Sequence, residues 1–519
     1  MESASLEVLL EEVLEIKRSK RLKGTALLPG DSQLGFQALL LAALAEGPTR
    51  LENLPDSPWF RETLEDFARL GYAQQALDGH WLIHGGRPGG AAAPPAGTAE
   101  GSSATASQEP LRVRHEVELL TLAGFLAATA TPHANGSPRP LAIDTACVGG
   151  DALELAGKIF RLEVLPDAES PEPSPPEAGE ANASPREIRV AVARGLTVAG
   201  LNYRASARPG AAAGSGSGGL RPADLGWDEP QAKLALLAYH LAAGKELELV
   251  YAKGGSDSLE TLAVQFGAAL KVERNEFPEG DELARRIARQ MRAAGKQEPQ
   301  TRLHLGSAPL KPQSLSLPGD VTLASAFCLA ATLLKGSDLA LESVLLNPSR
   351  AGFIAALRRM GADIEVVSRR ERSGDTLGTL RVRPADLLGK RFGSENFAGM
   401  RDEIFLLMVA AAFAEGETIL RDIGHLRLYR EDLLKSFAAD LKGAGVEIGE
   451  IEDGLVIRGR SDYDGHRYRA QGHPSLALAC LVMGMKSHGT SSLEGAECLE
   501  GRYPGLPAQL AALAAGDKP

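Results

Sequence analysis

Residue types that commonly act as metal ligands or nucleophiles are scattered along this chain. The four cysteines, Cys147, Cys328, Cys480 and Cys498, form no C-x-x-C pair, and the ten histidines show no spacing typical of a metal site. Cys147 lies between Ala146 and Val148, with acidic residues rather than cations nearby, so its sequence context favours an unreactive thiol. We therefore predict no metal and no cofactor.

One carboxylate is placed where it could do chemistry. Asp402 stands just before the apolar run Ile404-Phe-Leu-Leu-Met, which is typical of a buried helix. A carboxylate at a helix start can accept protons or bind a ligand. It can equally cap the helix, because an acidic side chain there is stabilised by free backbone N–H groups and by the helix dipole. The residues alone leave both roles open.

The elements that would position Asp402 come from an internal repeat. Leu-Pro-Gly-Asp occurs at Leu28 and again at Leu317, and each copy is followed by an apolar helix pattern that ends at a glycine, Gly47 or Gly336. A strand, a second amphipathic helix and another strand follow. Looser copies begin near residues 119, 233, 403 and 475, which gives about six β-α units, three in each half.

The repeat predicts the fold class. The first helix of each unit is apolar almost all round, so it should be wholly buried with the sheets packed outside it. We predict an α/β protein of two domains, each an inside-out barrel of three β-α units. The predicted divisions are an N-terminal helical extension (1–26) leading into the C-terminal domain, a first domain (27–306) and a second domain (307–519). An open solenoid is less favoured, because both halves restart with the same turn.

Composition limits the classes of partner. The chain has 519 residues and a formal net charge of -11, which argues against binding nucleic acid or an acidic membrane surface. No apolar run approaches membrane-spanning length, and the acidic N-terminus offers no signal sequence, so we expect a cytoplasmic protein. Segments 86–110, 168–185 and 208–219 are rich in Pro, Ala, Gly and Ser. We predict disordered insertions there, through which a protein partner could bind.

Several motifs of the chain together resemble those of one known protein family. Leu28-Pro-Gly-Asp with its alanine- and leucine-rich helix, Leu346-Asn-Pro-Ser-Arg350, Arg401-Asp-Glu-Ile404 and Tyr503-Pro504 resemble the enolpyruvylshikimate-phosphate synthase family in the same order. The resemblance implies a two-domain enolpyruvyl transferase fold. It also implies a cleft that binds shikimate 3-phosphate and phosphoenolpyruvate, both small anionic metabolites, and makes Asp402 the candidate general base for the substrate hydroxyl.

Most cations that the resemblance calls for are replaced. Ser32 and Gln33 stand where the family has Lys-Ser, and Gln37 stands where it has an Arg. These are degenerate substrate-binding positions. Two multiply charged acids need clustered guanidinium and ammonium groups, because carboxylates and phosphates are bound by charge-assisted hydrogen bonds.

The later motifs continue this trend. The Ser-Ser-Gln phosphate loop of the family corresponds to residues 229–231, where only the amide of Gln231 is kept. Arg427 is a weak match, whereas the Lys-Glu pair and the Arg that follow in the family correspond to Tyr429, Arg430 and Leu433. The family's late His-Arg pair and late Lys correspond to His473-Pro474 and Gly501.

Three functional hypotheses follow. The leading one is a degenerate family member that uses the scaffold for binding or regulation. The second is an active carboxyvinyl transferase with basic residues at new positions, namely Arg112, Arg427, Arg430 and Arg502. The third is a transferase resembling those that act on UDP-N-acetylglucosamine, with Cys147 as the nucleophile.

Overall fold

The computed structural model describes residues 13–86, 111–113, 116–129, 140–144, 156, 159–160, 162–164, 187–192, 229–252, 256–275, 300–397, 399–400, 403–421 and 423–516. For some residues inside these helices and strands it describes the backbone alone. The insertions predicted at 168–185 and 208–219, and all but Gly86 of the insertion at 86–110, lie outside the described residues.

The described secondary structure alternates strands and helices along the chain. The strands are β1 Val13–Lys17, β2 Lys23–Ala26, β3 Pro48–Glu52, β4 Gln74–Leu77, β5 His80–His84, β6 Leu111–Val113, β7 Pro140–Asp144, β8 Leu162–Val164, β9 Glu187–Val192, β10 Leu247–Ala252, β11 Leu270–Asn275, β12 Gln300–Leu305, β13 Ser314–Ser316, β14 Asp338–Leu345, β15 Asp363–Arg372, β16 Asp375–Arg383, β17 Arg391–Phe392, β18 Glu417–Arg421, β19 Glu447–Ile451, β20 Gly454–Arg458, β21 Arg467–Arg469 and β22 Thr490–Glu494. The helices are α1 Ser32–Leu44, α2 Pro58–Arg69, α3 Glu116–Thr129, α4 Glu229–Ala243, α5 Ser258–Gln265, α6 Val321–Leu333, α7 Gly352–Arg359, α8 Ser394–Phe397, α9 Ile404–Ala412, α10 Gly424–Gly443, α11 Pro474–Lys486, α12 Glu497–Arg502 and α13 Leu506–Ala515.

The chain forms two compact units. Unit 1 comprises residues 1–31, 55–61 and 318–519, and unit 2 comprises residues 32–54 and 62–317. The sequence places the boundary at 306/307, whereas the compact units divide at 317/318. The described residues 13–31 belong to the same unit as the C-terminal half of the chain.

Unit 1 contains three described sheets, with strand orders β1-β22-β21, β15-β16-β14-β2 and β17-β18-β20-β19. Helices α6 and α9 are buried along their whole length, and α11 is buried in all but its last residue. Helix α11 packs against α6 and α9, while α6 also contacts strands β14 and β16. The apolar helices therefore form the core and the sheets lie outside them, as the all-round apolar pattern predicts.

Unit 2 repeats this arrangement with sheets β13-β3-β5-β4, β10-β12-β11 and β6-β7-β9-β8. Helix α1 is buried from Gln33 to Ala43. It packs against α3 and α5, and α3 packs against α4. With three described sheets in each unit, the count of three β-α units per half agrees with the sequence repeat.

The two Leu-Pro-Gly-Asp turns lie against each other within unit 1. The Asp31 N–H donates to the Pro318 carbonyl at 2.9 Å, and the Asp320 N–H donates to the Pro29 carbonyl at 2.8 Å. Gly30 and Gly319 form an antiparallel bridge between them. A side chain at residue 319 would have its Cβ 2.6 Å from Leu28 Cβ, which explains the glycine of this turn.

One predicted element is wrong where the structure describes it. Residues 1–26 were expected to form a helical extension, but residues 13–17 and 23–26 are strands. Strand β1 pairs antiparallel with β22, and β2 pairs parallel with β14. The leucine spacing at this end of the chain fits a helix, yet backbone pairing with existing sheets determines the structure. Among the described residues, no helix is both long enough and apolar enough to cross a membrane.

Candidate functional site

Asp320 organises the start of helix α6 in unit 1. Its Oδ1 accepts a hydrogen bond from the Leu323 N–H at 2.9 Å, so the carboxylate caps the helix. The same carboxylate accepts from the Tyr503 hydroxyl at 3.1 Å and from Arg502 Nη2 at 3.2 Å. Asp320 is buried, which means that these neighbours take the place of water around its charge.

Asp31, from the first Leu-Pro-Gly-Asp turn, forms a second buried ion pair in unit 1. Its Oδ2 lies 2.9 Å from Arg350 Nη2. Burial disfavours the charged guanidinium, yet the carboxylates of Asp31, Glu403 and Asp320 outweigh this and raise the pKa of Arg350 above its ordinary value. Arg350 therefore stays cationic in its buried position.

Glu403 adds a third carboxylate at the start of helix α9. Its Oε1 accepts a hydrogen bond from the Thr322 hydroxyl at 2.6 Å, and its side chain is buried. Asp402, the candidate general base, precedes it directly and lies outside the described residues. Its assignment as general base stays a prediction.

These groups form what we call the Asp320 cluster, defined as Asp31, Asp320, Arg350, Glu403 and Arg502. The Arg350 guanidinium interacts electrostatically with all four other members. With every group ionised, three carboxylates exceed two guanidinium groups. The cluster therefore carries no surplus positive charge with which to hold a phosphate.

Tyr503 supports this arrangement as a hydrogen-bond donor. Burial raises the pKa of its hydroxyl well above the ordinary value, and the nearby Asp320 carboxylate adds to the effect. The phenol therefore keeps its proton at neutral pH and donates it to Asp320. Arg502 also lies over the Tyr503 ring, 5.4 Å from the centroid.

Gly501, at the position where the resemblance implies a late lysine, is closely covered by an indole ring. A Cβ at this residue would lie 2.3 Å from Trp59 Nε1, which is far inside van der Waals contact. Trp59 packs against the core of unit 1. A lysine could enter here only if the indole moved away.

His473 and Pro474, at the position of the family's His-Arg pair, begin helix α11. His473 Nδ1 accepts from the Leu476 N–H at 3.4 Å, and Pro474 occupies the first turn. The His473 ring packs edge-on against Phe405, with centroids 5.8 Å apart, and Pro474 is buried. These residues start a helix, and Pro474 brings no cation to this position.

In unit 2, the first turns of helix α1 carry the three degenerate positions Ser32, Gln33 and Gln37. Gln33 and Gln37 are both buried, and neither the first nor the last turn of α1 contains a charged residue. Within the described residues, Gln37 Oε1 has no hydrogen-bond partner. The structure thus places amides, with no ionic group, along this face of the helix.

The described part of unit 2 contains a buried cation, Lys233, that no sequence pattern predicted. Lys233 Nζ lies 2.5 Å from Glu260 Oε1 and donates to the Ser256 carbonyl at 2.7 Å. It also lies over the Tyr251 ring, 5.2 Å from the centroid. A lysine inside the apolar helix α4 and a glutamate inside α5 were the available signals, but nothing in the sequence pairs them.

Of the remaining predicted residues, four have only their backbone described and one lies outside the described part of the chain. Gln231 lies in helix α4, Arg427 and Arg430 lie in α10, and Arg112 lies in β6, each with only its backbone described. Cys147 lies outside the described residues. Their proposed roles therefore stay predictions, whereas Arg502 is placed beside Asp320.

The described part of the chain offers little other reactive chemistry. It contains no group of three or more His, Cys, Asp or Glu side chains arranged to hold a metal ion. Cys328, Cys480 and Cys498 are buried free thiols, as expected for small apolar packing residues. Burial raises the pKa of Cys328 to about 12, which keeps it in the unreactive thiol form.

Comparison with known proteins gives a consistent result. A sequence model described as EPSP synthase (3-phosphoshikimate 1-carboxyvinyltransferase) matches residues 16–109 and 286–510, more than half of the chain. The chain is 38% identical over 200 residues to the 3-phosphoshikimate 1-carboxyvinyltransferase of Synechococcus sp. (strain JA-3-3Ab), which covers 38% of this chain and 45% of that protein. It is 29% identical over 506 residues to the enzyme of the same name from Parvibaculum lavamentivorans, covering 97% and 96% of the two chains.

The fold is similar to that of a solved protein. An EPSP synthase from Acinetobacter baumannii superposes with a TM-score of 0.64 at 20% identity, covering 98% of this chain and 99% of that one. This likeness confirms the predicted two-domain α/β fold with buried helices and external sheets.

Proposed function

Because the chain belongs to the EPSP synthase family, we propose that it is a catalytically degenerate member, which retains the fold for binding or regulation. The family reaction transfers enolpyruvyl from phosphoenolpyruvate to shikimate 3-phosphate. That reaction brings two phosphates and two carboxylates together, so it requires uncommitted cationic groups.

One observation carries this proposal. Among the residues that the structure describes, three cationic side chains with a carboxylate partner are at most one-tenth exposed: Lys233 at 2%, Arg350 at 9% and Arg502 at 10%. Their carboxylates lie 2.5, 2.9 and 3.2 Å away, respectively. Their partners, Glu260, Asp31 and Asp320, are buried as well. The positive charge of these cations is already balanced inside the protein.

Redirecting such a cation to a substrate would be unfavourable. A guanidinium that turns towards a phosphate leaves its carboxylate buried without a counter-charge, and breaking a buried pair typically costs about 3–5 kcal/mol. The substrate contact would have to exceed this before it contributed any net affinity. The buried ion pairs therefore oppose anion binding by these cations.

The family's substrate positions reinforce this conclusion. Ser32, Gln33 and Gln37 provide neutral groups on α1, Pro474 is the first residue of α11, and Gly501 is covered by Trp59. Each lost charge-assisted contact removes about 1.5–3 kcal/mol. Together with the substitutions at 429 and 433, the non-additive total exceeds roughly 5 kcal/mol, which is several orders of magnitude in affinity.

The two alternative hypotheses gain no support from the described residues. Arg502 was one of the cations expected to replace those lost, but it is bonded to Asp320. Cys147 lies outside the described residues, so nothing supports its role as a nucleophile. A small anionic metabolite, bound weakly and without turnover, stays part of the proposal.

Complementation tests the proposal directly. The full chain is expressed in a bacterium that lacks its own EPSP synthase, beside a matched strain that carries the Acinetobacter baumannii enzyme. We expect the second strain alone to grow without aromatic supplements. Growth of the first strain, at equal expression of the folded protein, would show that the family reaction is retained.

A further inference from the structure

Strand β15 of unit 1 is a long strand at the edge of its sheet. Among the described residues it pairs with β16 alone, on one of its two sides. It has ten residues, whereas the other edge strands of unit 1 have between two and five. An edge strand presents backbone N–H and C=O groups without a strand partner, and proteins often keep such strands short to prevent pairing with another chain. Strand β15 lacks this protection.

The charges along β15 are separated by sign. Its first half carries Asp363 and Glu365, which share one arginine, Arg383 of β16, at 3.5 and 3.0 Å. Its second half is basic, and all of its charged side chains are exposed: Arg369, Arg370, Glu371 and Arg372. Arg370 donates to the Ser343 hydroxyl, a neutral group that does not balance its charge. The strand is therefore acidic at one end and basic at the other.

A β-bulge at Val367 determines which of these side chains share a face of the sheet. Val366 lies opposite Leu380 and Ser368 lies opposite Thr379, so Val367 is an extra residue in β15 and shifts the alternation after it. The register pairs Asp363 with Arg383, Glu365 with Arg381, Arg370 with Leu377 and Arg372 with Asp375. Opposite residues share a face, and Leu380 belongs to the core. These two acids and two arginines of β15 therefore lie together on the other face.

A second copy of β15 matches this edge by charge. If two copies pair antiparallel about a two-fold axis beside Val367, Asp363 lies opposite Arg372 of the other copy and Glu365 lies opposite its Arg370. The symmetry forms each pair twice, which gives four pairs of opposite charge. Parallel pairing would oppose like charges, and a slip of two residues would lose half of the pairs. Val367, which is 57% exposed, would be covered near the axis.

We propose that β15 is a self-association surface through which two copies of this chain form a symmetric dimer. Antiparallel pairing of the two β15 strands joins their sheets into one continuous sheet, and the four ion pairs fix the register. One strand offers a small contact area, so the dimer should be weak and depend on protein concentration. The proposal goes beyond the proposed function and does not rest on it, because turnover of substrates is not involved.

Sedimentation velocity of the full chain, between about 1 and 200 µM, tests the proposal. We expect the dimer fraction to rise across this range and to fall when salt is added, because exposed charges are screened. Arg370→Glu/Arg372→Glu places glutamates opposite Glu365 and Asp363, so this variant should stay monomeric. A wild-type chain that is monomeric at every concentration would overturn the proposal.

Mixing two oppositely charged variants identifies the surface involved. Asp363→Arg/Glu365→Arg makes the paired face of β15 basic throughout, whereas Arg370→Glu/Arg372→Glu makes it acidic throughout. Each variant alone should be monomeric, and their equimolar mixture should form a heterodimer, because every opposed pair again has opposite charges. The proposal fails if the mixture stays monomeric or if either variant alone dimerises as strongly as the wild type.

Glu447→Arg/Glu450→Arg is the matched control. It reverses two exposed charges on the edge strand β19 of the same unit, and it should dimerise like the wild type. If charge reversal in β15 prevents folding, Arg370→Gln/Arg372→Gln is measured instead. This neutral variant should dimerise at least about tenfold more weakly than the wild type. Equal dimerisation of the neutral variant and the wild type, or loss of the dimer in the β19 variant, would refute the role of β15.

Discussion

The two Leu-Pro-Gly-Asp turns begin alike and lead to different side-chain chemistry. Asp320 caps helix α6 and accepts from Arg502 and Tyr503, while Asp31 pairs with Arg350. The helix after Asp31 then presents Gln33 and Gln37 as its buried polar residues. The backbone of the repeat has been kept, because each turn donates an N–H to the other. The side chains around the two turns differ: those in unit 1 form buried ion pairs, whereas helix α1 in unit 2 carries buried amides.

The largest expected effect on stability concerns Lys233, the buried cation described in unit 2. Lys233→Met should lower the free energy of unfolding by about 3–5 kcal/mol, because Glu260 would remain buried without its counter-charge. The double variant Lys233→Met/Glu260→Met should recover most of this loss. Urea denaturation of the wild type, the single variant and the double variant measures their free energies of unfolding. Equal stability of the single and double variants would show that the unpaired charge of Glu260 does not cause the loss.

The stability of the two units should differ in its dependence on pH. Burial lowers the pKa of His240 in α4 from 6.5 to about 4, so folded unit 2 favours the neutral ring. The stability from this residue is present above pH 6.5 and is lost as pH falls towards 4, by roughly 3 kcal/mol in total. Amide protection factors, corrected for the pH dependence of intrinsic exchange, should fall in α4 before α11. In His240→Leu this difference between pH 7 and 4 should disappear, and its persistence would exclude His240 as the cause.

In unit 1, Asp320→Ala should destabilise by about 1.5–3 kcal/mol, because the α6 cap and the hydrogen bond from Arg502 are lost. The loss stays below that of a broken isolated pair, because the two carboxylates left in the Asp320 cluster still balance its two guanidinium groups. Asp320→Asn keeps an acceptor for the Leu323 N–H and should lose less. Thermal denaturation compares the two. If both variants lose the same amount, the capping hydrogen bond contributes nothing and the charge of Asp320 alone explains its role.

The smallest effect tests the packing of Gly501 against Trp59. Gly501→Ala should cost about 1–3 kcal/mol, since its Cβ would collide with the indole. In a Trp59→Leu background the same substitution should cost less. A double-mutant cycle on melting temperature gives the coupling between the two residues. Strict additivity would mean that the indole does not restrict residue 501.

Much of the fold follows from the sequence because its signals are local. The repeated turns, the glycines after α1 and α6 and the all-round apolar helices predict buried helices with sheets outside, and the structure contains them. Strand β1 could not be predicted from the sequence, because it pairs with β22, more than 470 residues away. Its leucine spacing alone suggests a helix.

The site was less predictable for a physical reason. Replacement of Lys and Arg at the family's positions is visible in the sequence, and so is Arg502. The ion pairs of Arg502 with Asp320 and of Lys233 with Glu260 are set by tertiary packing, which no spacing rule provides. Likewise, Gly501 can be read as a lost lysine, but the covering indole of Trp59 comes from a segment more than 400 residues earlier.

Release of inorganic phosphate from shikimate 3-phosphate and phosphoenolpyruvate tests the central claim most directly. The purified full chain is measured beside the Acinetobacter baumannii enzyme at saturating concentrations of both substrates. If the buried cations are committed to internal carboxylates, the rate should be roughly a thousandfold or more below that enzyme. A rate within tenfold of it would contradict the account.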